Sequence, residues 1–260
     1  MKNIAVISLS GGMDSTCLLA RLLLAGYEVY GLAFDYGQKH KIELERLQKN
    51  VEYLKSVGLP LKEFNVINIS QLGELFESSL TNKDIDVPLG HYEEENMKST
   101  VVPNRNAIFT SIIYGYALSI AKRTENIVEI TLGVHSGDHA IYPDCRPAFY
   151  EAIEEAFDLG NYDSKFVQFT LPYINSNKTE ILKECYALCI DSKINFYELL
   201  RNTNTSYNPD EFGRASGLSG SDIERIEAFI NNGLADPVEY VRGWDWTVRN
   251  AQKIINSIGN

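Results

Sequence analysis

The sequence predicts a doubly wound α/β protein on a parallel sheet, and three features of the chain carry that prediction. The apolar run Ile4-Ala5-Val6-Ile7 passes through Ser10-Gly11-Gly12-Met13-Asp14-Ser15 into an apolar stretch, Thr16 to Leu24, in the order strand, glycine turn, helix. Strand and helix patterns then alternate as far as residue 190. Polar loops follow the strands, at the ends where an open parallel sheet binds its ligands.

The first turn is built for phosphate. Two glycines let the backbone curl with its N–H groups aimed at one spot. The helix behind adds unpaired N–H donors and the positive end of its dipole, and Ser10 and Ser15 add hydroxyls. The lysine and spacing of a Walker loop are absent. A second strand is expected over Glu28 to Phe34, delivering Asp35-Tyr36-Gly37-Gln38-Lys39-His40 at its C-terminal end. A helix with Ile42, Leu44, Leu47, Val51 and Leu54 on one face follows, then a strand near Glu63 to Ile67. From Asn68 to Thr100 the pattern weakens. Pro88-Leu89-Gly90-His91 reads as loop and Glu93-Glu94-Glu95 as an acidic run, either a solvated excursion or a lid over a nucleotide.

Val101-Val102-Pro103-Asn104-Arg105-Asn106 introduces an apolar helix, Ala107 to Ala121, whose small residues Ser111, Gly115, Ala117 and Ser119 suggest close packing under the sheet. Arg105 is unusual at the start of such a helix: it is either paired structurally or aimed at a ligand. A strand from about Asn126 to Gly133 releases the polar loop Val134 to Pro147. A helix from Ala148 to Asp158 and a strand from Lys165 to Leu171 come next, and Asn175-Ser176-Asn177-Lys178-Thr179-Glu180 carries the N-cap signal of a helix through Leu188. Residues 1–190 read as one nucleotide-binding domain, and 191–260 as a mostly helical lobe packed on it. That lobe has a turn-rich stretch, Asn202 to Asp210, and a serine-glycine stretch, Gly213 to Ser221. Asp222 or Ser221 is expected to cap the following helix, and Trp244, Trp246 and an amphipathic stretch close the chain.

At 260 residues and 44% hydrophobic, the chain can bury a sizeable core. Its net charge of −11 argues against a generic duplex-binding surface, so no stable nucleic-acid binding is expected. No window approaches the roughly 18 apolar residues of a membrane span, and a strand starting at once leaves no room for a signal peptide. Cys17, Cys145, Cys185 and Cys189 suggest no disulfide framework, and Cys185 and Cys189 fit a helix core. A reducing cytoplasm is the simplest home.

The Ser10–Ser15 hexapeptide is similar to the pyrophosphate-binding loop of the PP-loop ATP pyrophosphatases, Ser-Gly-Gly-x-Asp-Ser, which split ATP between the α and β phosphates. With it, Asp35-Tyr36-Gly37-Gln38, His40, Glu43, Val102-Pro103-x-Arg105-Asn106, Tyr142-Pro143-Asp144-Cys145-Arg146-Pro147-x-Phe149 and Lys178 resemble the 7-cyano-7-deazaguanine synthase (QueC) family over nearly the whole chain. The resemblance implies an ATP-dependent ligase that uses ATP and magnesium to adenylate 7-carboxy-7-deazaguanine. Ammonia then displaces AMP, and a second activation dehydrates the amide to a nitrile. It implies an ATP site at Ser8, Leu9, Ser10, Gly11, Gly12, Met13, Asp14, Ser15, Phe34, Tyr36 and Gln38. It implies a substrate site at Arg105, Asn106, Tyr142, Asp144, Arg146 and Phe149, with Asp14, Ser15, Lys178 and Arg105 as catalytic groups. Lys178 would neutralise charge on phosphate oxygens. Asp144 or a backbone group would read the guanine-like edge and Arg146 would hold the carboxylate. A homodimer is expected.

One segment departs from the family. Four cysteines hold a structural zinc there, and this chain has Ser206, Ser216, Ser219 and Asp222 instead. Three hydroxyls and a carboxylate do not replace four thiolates around zinc, so something else must order the segment. QueC-like proteins also occur in anti-phage gene clusters. The main expectation is therefore that the activated deazaguanine is passed to an amine on a protein; the alternative is the ordinary nitrile synthase using ammonia. A tRNA-modifying PP-loop enzyme and a non-enzymatic nucleotide-binding subunit are weaker readings. Metal analysis of the purified protein is expected to find well under one zinc per chain, and chelators to leave its melting temperature unchanged. One zinc per chain would overturn this.

Overall fold

The computed structural model describes residues 2–258 apart from 40, 83 and 91–94, so His40, His91, Glu93 and Glu94 lie outside the described residues. Five strands, β1 (Ile4–Ser8), β2 (Glu28–Asp35), β3 (Glu63–Asn68), β4 (Val128–Thr131) and β5 (Val167–Phe169), form one parallel sheet in the order β3-β2-β1-β4-β5. The chain winds outward from β1 to β3, then returns to place β4 on the other side of β1. The reversal between β1 and β4 opens a crevice at their C-terminal ends, the place where such sheets bind ligands. β1 reads as an unbroken apolar run because both its faces are covered: Ala5 and Ile7 face one core, Ile4 and Val6 the other.

On the first face lie α1 (Met13–Leu24), α2 (Ile42–Ser56), α5 (Lys178–Ile190) and α6 (Phe196–Arg201), burying Leu18, Leu47, Leu54, Leu182 and Leu199. Cys17, Cys185 and Cys189 are buried in this core as free thiols. On the second face lie α3 (Arg105–Thr124) and α4 (Pro147–Gly160), around Ile113, Tyr114, Ile120 and Tyr150. α7 (Gly220–Asn231) and α8 (Trp244–Ile258) enclose a smaller cluster with Ile223, Ile226 and Tyr240.

Three local expectations are corrected. In α3 only Ala117 of the small residues packs inward; Ser111, Gly115 and Ser119 are exposed. They form a stripe opposite the larger buried side chains, and the two serine hydroxyls donate to carbonyls four residues back. The stretch after β3 is not simply solvated: Ser78, Ser79, Leu80, Met97 and Thr100 are buried, and Met97 packs with Ile141, Tyr142 and Cys145. The cap of α7 is Ser219, neither Ser221 nor Asp222. Ser219 Oγ accepts from Asp222 N and the Asp222 carboxylate accepts from Ser219 N, a reciprocal capping box.

Ser206, Ser216, Ser219 and Asp222 converge here. Asp222 Oδ2 accepts from Ser206 Oγ (3.0 Å), Ser216 Oγ (2.6 Å) and Ser219 Oγ (2.8 Å), and from the N–H groups of Gly217, Leu218 and Ser219. A buried carboxylate is tolerated when so surrounded by donors. Nearby, the Arg225 guanidinium grips both oxygens of Asp236 (2.6 and 2.9 Å) and reaches Thr203 Oγ1 and Thr205 Oγ1 (2.8 and 3.0 Å). Both ends of the ion pair are buried. Arg225→Ala should therefore lower the unfolding free energy by about 3–5 kcal/mol, because it strands a buried Asp236. Urea denaturation checks this, and a loss under about 1 kcal/mol would show the pair to be dispensable.

Candidate active site

The crevice between the ends of β1 and β4 holds a cavity of about 230 Å³. Its floor is the turn from Leu9 to Gly12 and the start of α1. Gly11 has a φ of +80°, and a Cβ there would lie 2.3 Å from the Glu43 carbonyl oxygen, so the turn exists only with glycine. Ser10 Oγ accepts from Gly12 N (3.2 Å) and lies 3.1 Å from Ser15 Oγ, which draws both hydroxyls to the same rim. Gly133, just past β4, lets that chain lie close against the start of α1: a Cβ there would sit 3.0 Å from Ser15 N. The result is a concave set of N–H and O–H groups at a helix N-terminus, an anion site by construction.

Charged side chains gather on one wall. Lys178, the first residue of α5, sits 2.8 Å from Glu224 Oε2 and 3.6 Å from Asp14 Oδ2. Asn177 places it there through a capping box with Glu180. Burial alone would push the Lys178 ammonium down; Asp14, then Glu224 and Asp138, more than offset it and hold it above the usual lysine range. His135 Nδ1 accepts from Gly137 N (3.2 Å), which leaves Nε2 as the protonated nitrogen, 3.7 Å from Asp14 Oδ2 and 3.6 Å from Asp138 Oδ2. Burial raises the Asp138 carboxyl, against the pull of His135. Gly137 is small enough to admit Glu224: a Cβ there would lie 2.2 Å from Glu224 Oε1.

The facing wall is aromatic. Phe34 stacks on Phe109 at 4.1 Å, Tyr36 tilts against Phe109, and Arg105 lies 5.7 Å from the Tyr36 ring centre. Asn104, at φ 59°, turns the chain sharply into α3 and so presents Arg105 and Asn106 to the cavity. Asn106 Nδ2 donates to Cys145 Sγ (3.4 Å), and burial raises that thiol well above its usual range. Glu43, from the first turn of α2, completes this wall; burial lifts its carboxyl to about 7, against the Gln38 amide and Arg105, which pull it down.

The structure thus brings together Ser8, Leu9, Ser10, Gly12, Asp14, Ser15, Phe34, Tyr36, Arg105, Asn106 and Lys178 around one cavity. Other expected contacts are not on its wall. Met13 is fully buried beneath the loop, and Gly11 sits behind it against Glu43. Gln38 holds Glu43 Oε1 (2.9 Å) instead. Tyr142 is buried with its hydroxyl 2.6 Å from Thr100 Oγ1. Pro143–Cys145 forms a single 3-10 turn that rotates Cys145 inward. Asp144 and Arg146 are left outside, with the exposed Arg146 donating to His139 O (2.8 Å). Phe149 packs edge-on against Tyr150, which lines the cavity in its place. Sequence reasoning assigned no role to Glu43, His135, Asp138, Tyr207 or Glu224. The polar loop after β4 was the available signal for His135 and Asp138; Glu224 had none, because tertiary packing brings it in.

Sheet order and loop define the class: a PP-loop nucleotide-binding α/β protein of the ATP pyrophosphatase type. Residues 4–233 match the family model for queuosine biosynthesis protein QueC, and the chain belongs to that family. Proteins described as 7-cyano-7-deazaguanine synthase are similar to it over most of their lengths. That of Hahella chejuensis is 44% identical over 92% of this chain and 93% of its own. That of Methanoregula boonei is 44% identical over 91% and 98%, and that of Pseudoalteromonas translucida 41% over 90% and 97%. The chain is therefore an enzyme of the QueC family. Among the described residues no helix is long and apolar enough to cross a membrane.

Gly11→Ala should weaken ATP binding at least tenfold, a cost of about 1.4 kcal/mol or more. Gly26→Ala, with the same φ of +80° but nothing within 4 Å, should leave it unchanged. Isothermal titration with both variants separates the clash from backbone strain, and equal affinities would show that the Glu43 contact does not shape the loop.

Proposed function

We propose that this enzyme activates the carboxylate of 7-carboxy-7-deazaguanine with ATP and converts it, with ammonia, to the nitrile 7-cyano-7-deazaguanine. The observation that carries the reading is the Ser10–Ser15 anion cradle with Lys178 beside it, facing an aromatic wall that carries Arg105, in one cavity. The relatives' shared description supports it. A carboxylate is a poor electrophile because oxide is a poor leaving group; as an acyl adenylate it releases AMP instead. The cradle's N–H groups would receive the departing pyrophosphate, and Lys178 would offset the charge that builds on it. Phe34, Tyr36 and Phe109 offer flat surfaces for planar bases, and Arg105 a cation for the substrate carboxylate.

Magnesium, which the family's chemistry implies, fits this wall. Asp14 Oδ1 is buried without a hydrogen-bond partner among the described residues, and Asp138 lies across His135 from it. One or two carboxylates plus phosphate oxygens are the usual protein share of a magnesium site, and the ion would screen polyphosphate charge. The Ser206, Ser216, Ser219 and Asp222 cluster does not fit zinc: it offers one carboxylate whose Oδ2 already accepts six hydrogen bonds. The reading in which a protein amine replaces ammonia, with a role in anti-phage defence, draws no support from the relatives, whose names speak for nitrile synthesis.

With ATP, magnesium, ammonium and 7-carboxy-7-deazaguanine, the products should be AMP, pyrophosphate and the nitrile, read by chromatography and mass spectrometry. Asp14→Ala and Ser15→Ala should abolish turnover. ADP as the only nucleotide product refutes the adenylation reading. AMP release without amide or nitrile in ammonium would return weight to a different acceptor.

A further inference from the structure

A second, much smaller cavity of about 30 Å³ adjoins the first. It shares Tyr36, Glu43, Asn204 and Tyr207 with the nucleotide cavity, and Leu80 and Lys39 line it as well. That is room for a molecule the size of water or ammonia. Glu43 therefore stands at the partition between a space for a nucleotide and a space for one small molecule. Its geometry is held rigidly. Gln38 Nε2 donates to Glu43 Oε1 (2.9 Å) and to the Phe34 carbonyl, while Gln38 Oε1 accepts from Tyr36 N (2.9 Å). A carboxylate flanked by aromatic rings is the recognition chemistry of a compact cation.

We propose that this small cavity is the ammonium site of the enzyme, and that Glu43 binds the ammonium ion and takes its proton so that neutral ammonia enters the reaction cavity. The inference rests on the reading above, in which ammonia is the nitrogen donor. The step balances. An N–H bond of ammonium breaks and an O–H bond forms on Glu43. The freed lone pair attacks the acyl carbon, a C–N bond forms, and the C–O bond to AMP breaks with its electron pair on the AMP phosphate. A second proton then leaves the nitrogen for solvent, giving a neutral amide.

The surroundings suit the task. Charged or titratable groups face Glu43 from each packed element: Arg105 from α3, Tyr36 after β2, Tyr207 from the turn-rich stretch and Lys39 across the small cavity. The Lys39 ammonium is itself engaged by the Ile85 carbonyl. Burial lifts the Glu43 carboxyl to about 7, so it titrates near neutral pH, where a proton acceptor that must also release its proton works best. Above about 7 it is anionic and binds the cation; below, it is neutral and does not.

The test separates activation from amination. Carboxylate-dependent exchange of radiolabelled pyrophosphate into ATP, without ammonium, reports the first; the KM for ammonium reports the second. Glu43→Gln should raise the ammonium KM at least about tenfold more than it slows exchange, and remove an inflection near pH 7 from kcat/KM for ammonium. Glu43→Asp should restore part of the loss. Leu80→Phe, which fills the small cavity without touching the carboxylate, should also raise the ammonium KM, while potassium at equal ionic strength should not substitute for ammonium. Parallel loss of exchange and amination in Glu43→Gln, or an unchanged ammonium KM in both variants, would overturn the proposal. Absence of exchange in the wild type would sink the adenylation reading and the proposal with it.

Discussion

One carboxylate oxygen fixes the end of the chain that closes the active site. Asp222 Oδ2 collects three serine hydroxyls and three backbone N–H groups from two separate turns. Each bond is modest alone, but together they leave one position for the first turn of α7. Two residues on, Glu224 reaches Lys178; the next, Arg225, locks Thr203, Thr205 and Asp236. The segment so held places Asn204 N on the Gly11 carbonyl at 2.9 Å. The cluster orders the region through one carboxylate and the donors gathered on it.

The charges of the site have a direction. Asp14, Asp138 and Glu224 surround one ammonium, Lys178, and one imidazole, His135. Without ligand the carboxylates satisfy Lys178; an arriving polyphosphate competes with them for it. A cation held by Asp14 and Asp138 would relieve that competition. Asp14, Glu224 and Asp138 hold the Lys178 ammonium above the usual lysine range.

The parts of the fold and site that sequence revealed are those written in short stretches of chain. The apolar run before Ser10, the glycine pair and the cap ahead of Lys178 each carry their meaning within a few residues, and the strands and helices fell within a few residues of expectation. Arg105 and Asn106 were legible for the same reason. Where Asp144 and Arg146 lie was not legible, because which residues of a 3-10 turn face inward depends on what it packs against, here Met97 and Tyr142. Glu224 and the convergence of Ser206, Ser216, Ser219 and Asp222 are tertiary facts. The sequence names the four residues, and only the packing shows that they meet at one point.

That meeting point also bears on the acceptor. Ser206 donates to Asp222 on one side and lines the small cavity beside Glu43 on the other. Tyr207, the next residue, lies on the wall common to both cavities. The passage for the nitrogen donor is therefore shaped by the same turn that the carboxylate cluster holds. A loose turn would leave that passage without a defined bore, and an acyl adenylate reacts with whichever nucleophile reaches it, water included. Ser206 Oγ ties the turn to Asp222 and also accepts from Ser216 N, so the wall of the small space is fixed to the cluster. On this argument the cluster contributes to selectivity as well as to folding, and the two contributions have one physical cause: the position of residues 206 and 207.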